Sequence, residues 1–124
     1  MNKTRLTFTV TDDDTAEALG SGDVPVLSTP RLLAWCEAAC VEVMGDLGPD
    51  ATSVGTRVDM EHERATPVGG AIIVAARLSG RDGRRHTFDV SVEHDLGEGS
   101  VAVAHATITR VVVRRESFLA RITA

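Results

Sequence analysis

Hydrophobic and polar residues follow two different periods along this chain, and the change of period divides it into elements. Between residues 28 and 44, apolar residues recur at positions i, i+4, i+7 and i+11 from Leu32, and further apolar residues flank that stripe. Ser28 or Thr29 can cap the first turn, and Pro30 suits the first helical position. The pattern predicts a helix over residues 28–44 that is apolar nearly all round, which is typical of a buried helix.

Elsewhere the apolar and polar residues alternate, as they do in strands with one buried face. Such strands are predicted at residues 5–11, 54–64, 85–94 and 101–115, and the strongly apolar run at residues 71–79 predicts a further strand, the third in chain order. Short turns rich in Gly, Asp and Pro join the last four, so these strands are expected to run antiparallel. Because the sheet must cover the apolar helix, one sheet with one helix, an α+β architecture, is the economical arrangement.

Within the strand at 54–64, the alternation places His62 on the core side, and Gly55 with Arg57 on the wet side. The connection before the helix, residues 12–26, is predicted as a loop with one helical turn at 15–19. The residues from 117 to 124 are interpreted as a short tail.

Composition indicates a single globular domain over residues 1–124. The net charge of −5 and the aromatic content of 3% argue against nucleic acid as a partner. No apolar run approaches the ~20 residues that span a bilayer, and no apolar segment follows the first residues, so a cytoplasmic location is expected. Cys36 and Cys40 lack a second pair of ligands at matching spacing, so they are interpreted as free thiols and no metal site is expected.

Two polar residues stand among apolar ones and are candidates for chemistry. Glu37 lies in the middle of the predicted helix, and carboxylates are rarely buried unless they are paired or functional. It could equally occupy the one wet edge of that helix. His62 points toward the core, where most histidines are structural, but its position at a strand end favours a functional role.

Four motifs, Val26–Pro30, Trp35–Cys40, Ser53–Thr56 and His62–Gly69, together resemble one group of proteins. The set is similar to the small bacterial acyl-CoA thioesterases related to fluoroacetyl-CoA thioesterase, and the resemblance covers about residues 24–122. It implies the hotdog fold, in which a five-stranded antiparallel sheet wraps a long central helix. It also implies hydrolysis of an acyl-CoA thioester to a carboxylic acid and CoA.

The resemblance assigns roles to seven residues. The family's catalytic set matches Thr29, Glu37 and His62, and its substrate-binding positions match Gly55, Thr56, Pro67 and Gly69. Water, the carboxylate or the threonine could be the nucleophile, and the glutamate or the histidine could be the base. Coenzyme A enters only as part of the substrate, and neither a cofactor nor a metal is implied.

The sequence differs from the family pattern at two places. Residues 20–26 lack the aromatic side chains with which fluoroacetyl-CoA thioesterase screens its site, so the acyl group stays open. In the family's last strand an arginine closely follows a histidine, whereas here Thr107 stands where the arginine is expected after His105.

Assembly and activity are also expectations at this point. The resemblance implies a homodimer with sheets joined edge to edge and active sites at the interface, where His62 completes the site either within one subunit or near its partner. A different class of protein, a non-catalytic acyl-CoA-binding or regulatory hotdog protein, remains the alternative.

Overall fold

Five strands form one antiparallel sheet that wraps around a long helix. The computed structural model describes residues 2–123. The elements, in chain order, are β1 (Lys3–Thr9), a 3₁₀ turn (Asp12–Asp14), α1 (Ala16–Leu19), α2 (Thr29–Met44), β2 (Ala51–His62), β3 (Ala71–Asp82), β4 (Arg85–Asp95), β5 (Ser100–Arg114) and α3 (Arg115–Thr123). The strand order is β1-β3-β4-β5-β2, and every neighbouring pair is antiparallel. The predicted α+β hotdog architecture is confirmed.

Helix α2 begins as its sequence predicts. The Ser28 hydroxyl accepts a hydrogen bond from the Arg31 backbone N–H at 3.2 Å, and Pro30 occupies the first turn, where a missing N–H costs nothing. The helix ends at Gly45, whose φ of +68° favours glycine.

The helix is covered on one side only. Leu32, Cys36 and Ala39 are fully buried against the sheet, whereas Ala34, Ala38 and Val41 are exposed on the opposite side. The expectation of a helix buried all round is therefore wrong for the single chain, because one sheet of five strands cannot reach both sides of the helix. This uncovered strip of small residues lies on the same helix as the candidate site.

Both cysteines lie in the core and are free. Burial raises the pKa of each thiol to about 12, so the reactive thiolate is scarce at neutral pH. We expect no reaction of the native protein with a disulfide reagent at pH 8 and two thiols per chain after unfolding in guanidinium. Rapid labelling of the native protein would contradict this burial.

A β-bulge in β2 reverses which side chains face the helix. The register with β5 shifts between Gly55 and Arg57, so Thr56 is an extra residue. As a result Gly55 faces the helix, opposite the buried Arg110, and its predicted place on the wet side is wrong. An alternating pattern assumes a regular strand and does not reveal one inserted residue. Such an insertion exchanges the two faces of the strand on one side of the bulge.

The C-terminal segment also differs from its prediction. In place of a tail it forms α3, none of whose residues is buried. Its apolar residues span only residues 118–122, which is too short a window for periodicity to indicate a helix. Within residues 2–123, no helix combines the length and the apolar character needed to cross a membrane.

Candidate active site

The first polar contact of the site joins the start of α2 to the end of β2. The Thr29 hydroxyl lies 2.8 Å from Nδ1 of His62, although 33 residues separate the two in sequence. Thr29 is held by the helix start, and His62 by the last ladder position of β2, opposite Ala104. The structure therefore brings together two residues of the predicted catalytic set.

The second ring nitrogen of His62 has no partner among the described residues. Its Nε2 is buried and accepts or donates no hydrogen bond there. A buried polar atom without a partner costs free energy, and such exceptions in native proteins point to a function or to a bound ligand. Nε2 is thus the atom at which a proton can be exchanged.

Burial lowers the pKa of His62 from its usual 6.5, because a charged imidazolium loses hydration in this position. The nearby backbone of Arg64 raises the pKa of His62 and so works in the opposite direction, but it is the smaller effect. The neutral imidazole therefore predominates at physiological pH. A neutral ring whose Nδ1–H donates to the Thr29 oxygen has a lone pair on Nε2 and can accept a proton there.

A cleft of about 220 Å³ opens beside this pair. Its lining consists of Ala16, Ser21, Val26, Leu27, Ser28, Thr29, His62, Glu63, Arg64 and Ala65. Apolar and small side chains predominate at the wall formed by the segment before α2. The cleft gives a small organic group direct access to the Thr29–His62 pair.

The segment that covers one side of the cleft is fixed at both ends. The Ala16 N–H donates to the Val26 carbonyl at 2.9 Å, and Thr15 pairs with Leu27. The residues between these anchors, 17–25, are exposed and loop outward. Loops anchored in this way on a rigid scaffold often carry binding residues.

Glu37 belongs to a second cluster, farther along α2. Its Oε2 accepts a hydrogen bond from Nη1 of Arg110 at 2.8 Å, and the Glu37 side chain is 33% exposed. Arg110 is itself fixed by Ser53, whose Oγ accepts from Nε and whose carbonyl accepts from Nη2, both at 3.0 Å. The carboxylate is therefore paired and oriented rather than isolated in an apolar helix.

Gly55 lies directly over this carboxylate. A Cβ at that position would come within 2.5 Å of Glu37 Oε2, so a side chain there would displace the acid. The bulge also leaves Thr56 outside the regular ladder, with its hydroxyl 3.4 Å from the Thr109 carbonyl. Bulges often occur next to active sites, where they redirect a side chain and free backbone groups.

The two clusters are separate within one chain. Thr29 and Glu37 are eight residues apart, which is about 12 Å along a helix axis. Gly55 and His62 are seven residues apart on one strand, or roughly 20 Å with the bulge. The structure thus brings Thr29 to His62 and Glu37 to Gly55, and it does not bring all four to one point.

The remaining predicted binding residues support the cleft from outside. Pro67 pairs with Val26, and the Gly69 N–H donates to the Val10 carbonyl at 2.8 Å with φ at +92°. Neither lines the cleft. Both residues help to fix the loop after His62 against the segment before α2.

Arg110 and Ser53 are the residues that sequence reasoning missed. The family's arginine was sought two residues after His105, at Thr107, but the structure supplies a guanidinium three residues later. The sequence did contain a signal for Arg110, because this residue shares the helix-facing side of β5 with Ala104 and Ala106. An arginine on an otherwise small and apolar face requires an acidic partner. His105, in contrast, lies on the opposite face of the sheet with its Nδ1 2.7 Å from Glu63, and it does not line the cleft.

Comparisons with known proteins give the family of this chain. A family model described as fluoroacetyl-CoA-specific thioesterase matches residues 10–116. The fluoroacetyl-CoA thioesterase of Streptantibioticus cattleyicolor is 33% identical over 98 residues, which make up 78% of this chain and 68% of that protein.

Solved structures of the fluoroacetyl-CoA thioesterase FlK are also similar. One has a TM-score of 0.88 at 28% identity and covers 98% of this chain and 92% of its own. A mutant solved with fluoroacetate and CoA has a TM-score of 0.83 at 28% identity and covers 94% of this chain and 95% of its own. The chain therefore belongs to the fluoroacetyl-CoA-specific thioesterase family, a group of thioester hydrolases with the hotdog fold.

Proposed function

We propose that this protein hydrolyses a short acyl-CoA to a carboxylic acid and CoA, with Thr29, Glu37 and His62 as its catalytic residues. The observation that carries the proposal is the Thr29–His62 pair, which opens on a cleft while the buried Nε2 of His62 has no partner among residues 2–123. This cleft gives a small acyl group access to a neutral imidazole that can accept a proton, as thioester hydrolysis requires.

Each catalytic residue has a role that its surroundings favour. The Thr29 hydroxyl holds the ring of His62 in place, and Nε2 takes a proton from the attacking water and passes it to the departing CoA thiolate. Glu37, oriented by Arg110, activates the attacking water or attacks the carbonyl carbon itself. The Thr56 backbone at the bulge and the first N–H groups of α2 are suited to stabilise the oxyanion.

The size of the cleft favours a small acyl group. A volume of about 220 Å³ is below the ~300–1,000 Å³ typical of drug-sized ligands. A mutant of FlK has been solved with fluoroacetate and CoA, but residues 20–26 of this chain contain no aromatic side chain. We therefore propose short acyl groups without a preference for fluorine. The two free thiols fit a reducing compartment such as the cytoplasm.

A homodimer would unite the two clusters. β2 lies at the edge of the sheet, and its side chains Thr56 and Val58 are exposed. Antiparallel pairing of two β2 strands about a two-fold axis between Val58 and Asp59 would place His62 of one copy opposite Gly55 of the other, next to Glu37 of that other copy. We propose that each active site forms from both chains.

The first experiment measures thiol release from acetyl-, propionyl-, butyryl-, octanoyl- and benzoyl-CoA. Turnover of a short member, together with at least a 100-fold lower rate for His62→Ala, would support the proposal. His105→Ala, a histidine away from the cleft, serves as the control and should keep the wild-type rate. No release from any ester, while the esters still raise the melting temperature, would leave only a binding protein.

Mixing two inactive variants tests the shared site. If His62→Ala and Glu37→Gln chains exchange freely, half of the dimers are mixed, and each mixed dimer has one intact site. Recovery of about a quarter of the wild-type activity is then expected. An unchanged, inactive mixture after verified subunit exchange would show that each site belongs to one chain.

The acid limb of the pH profile should report His62. Because activity needs the neutral ring and its pKa is lowered, kcat/KM should remain high down to pH 6.5 and fall below that value. The folded chain also binds this proton less readily than the unfolded chain, so stability decreases over the same acidic range. The profile is measured where circular dichroism confirms the fold, and a half-maximum above pH 6.5 would contradict the assignment.

A further inference from the structure

The ion pair between Glu37 and Arg110 uses only one oxygen of the carboxylate. Oε2 accepts a hydrogen bond from Nη1 at 2.8 Å, and Oε1 accepts none from any group of residues 2–123. Arginine and carboxylate groups frequently form two parallel hydrogen bonds, because the guanidinium fork matches the spacing of the two oxygens. The single bond found here therefore requires a physical cause.

The other side of the guanidinium is occupied by Ser53. Nε donates to the Ser53 hydroxyl and Nη2 donates to the Ser53 carbonyl, both at 3.0 Å. With this side of the fork held, one hydrogen bond remains for the carboxylate, from Nη1. The Arg110 side chain is only 10% exposed, so protein groups rather than water fix its orientation.

The strand that carries Ser53 also shields the bonded oxygen. Ser53 lies in β2 opposite Val112, and Gly55 lies opposite Arg110. A Cβ on Gly55 would come within 2.5 Å of Oε2 and 3.3 Å of Nη1, so β2 passes closely over this oxygen. The Glu37 side chain as a whole is nevertheless one-third exposed. Oε1 is therefore the accessible oxygen of the carboxylate.

Both reactions proposed for Glu37 need such an oxygen. Activation of a water requires a lone pair that accepts its proton, and attack on the thioester carbon requires a lone pair that forms the new bond. A carboxylate whose two oxygens are both held by an arginine is a weaker base and nucleophile, because charge-assisted hydrogen bonds stabilise its anionic form.

We propose that Ser53 is a positioning residue, which holds the Nε–Nη2 side of Arg110 and thereby keeps the guanidinium from closing over both oxygens of Glu37. The proposal rests on the proposed catalytic role of Glu37. Without the Ser53 hydroxyl, Nε would be buried without a partner, which costs free energy. Turning the fork toward Glu37 satisfies that donor and at the same time occupies Oε1.

Thiol release by Ser53→Ala tests this role. The change is expected to lower kcat at least about tenfold and to change KM less than about threefold, because it acts on the reacting oxygen and not on binding of the ester. Ser53→Thr keeps the hydroxyl and should retain most of the wild-type kcat. Thr52→Ala removes a hydroxyl from the neighbouring residue, which forms no hydrogen bond with Arg110, and is the matched control.

Two further measurements separate this role from a general structural one. In the Glu37→Gln background, Ser53→Ala should change the residual rate less than about twofold, since no carboxylate is left through which it can act. The melting temperature of Ser53→Ala should stay within about 3 °C of the wild type, because a second hydrogen bond to Glu37 replaces the lost one.

The crystal structure of Ser53→Ala gives the decisive result and does not depend on turnover. Both oxygens of Glu37 should lie within hydrogen-bond distance of Arg110. A Glu37 that keeps a single bond, an unchanged kcat, or an equal loss of rate in the Glu37→Gln background would each overturn the proposal. A rate lowered by Glu37→Gln but not by Ser53→Ala confines the failure to Ser53, whereas a wild-type rate for Glu37→Gln places the failure in the proposed role of Glu37.

Discussion

Replacing Glu37 with glutamine is expected to lower kcat by about 10²–10⁴-fold, because the substitution removes the charge and basicity of the carboxylate but keeps its shape. Glutamine can still accept a hydrogen bond from Arg110 through its amide oxygen, so the fold should survive. The rate is measured by thiol release under saturating substrate, with circular dichroism to confirm structure.

Glu42→Gln provides the control for this change. It removes the same charge from the exposed side of the same helix, away from Arg110. That variant should retain its full rate. A Glu37→Gln rate within threefold of the wild type would exclude the carboxylate from the chemical step and leave the Thr29–His62 pair to act with water alone.

Replacing Arg110 with leucine should cost about 2–3 kcal/mol in the free energy of unfolding. Breaking a fully buried ion pair costs ~3–5 kcal/mol, and the one-third exposure of Glu37 reduces that penalty. Ser53 would also lose both hydrogen bonds that it accepts from the guanidinium. Urea unfolding with a common m-value measures the difference.

The double variant Arg110→Leu with Glu37→Gln separates the two sources of this cost. Removing the unpaired charge should recover part of the lost stability, since the remaining amide is cheaper to desolvate than a carboxylate. Arg114→Leu, an exposed position on the same strand, should change stability by less than about 0.5 kcal/mol. A loss equally small for Arg110→Leu would show that the ion pair contributes little.

The elements of the fold could be predicted because hydrophobic spacing reports local geometry. Helical spacing from Leu32 and the cap at Ser28 located α2 to within a residue, alternation located four strands, and an apolar run located β3. The bulge at Thr56 was not predicted, because one inserted residue leaves the composition of the strand unchanged while it exchanges the two faces. Only the pairing of β2 with β5 reveals that Gly55 faces the helix.

The site was predictable as residues but not as an arrangement. Glu37 and His62 were notable because polar groups seldom stand among apolar ones, and the family resemblance added Thr29. Periodicity cannot show that Glu37 has a partner 73 residues away in Arg110. It also cannot show that Thr29 and His62 meet at one end of the helix while Glu37 lies about two turns farther along it.

The doubly anchored segment before α2 has a consequence for how this enzyme can change over evolutionary time. Ala16 and Val26 are joined by a backbone hydrogen bond, so the nine residues between them can lengthen, shorten or exchange without displacing a strand or the helix cap. Loop closure becomes only slightly more costly as a loop grows. Substrate range can therefore diverge by replacing this one segment, while the hydrolytic residues and the stability of the domain are inherited unchanged.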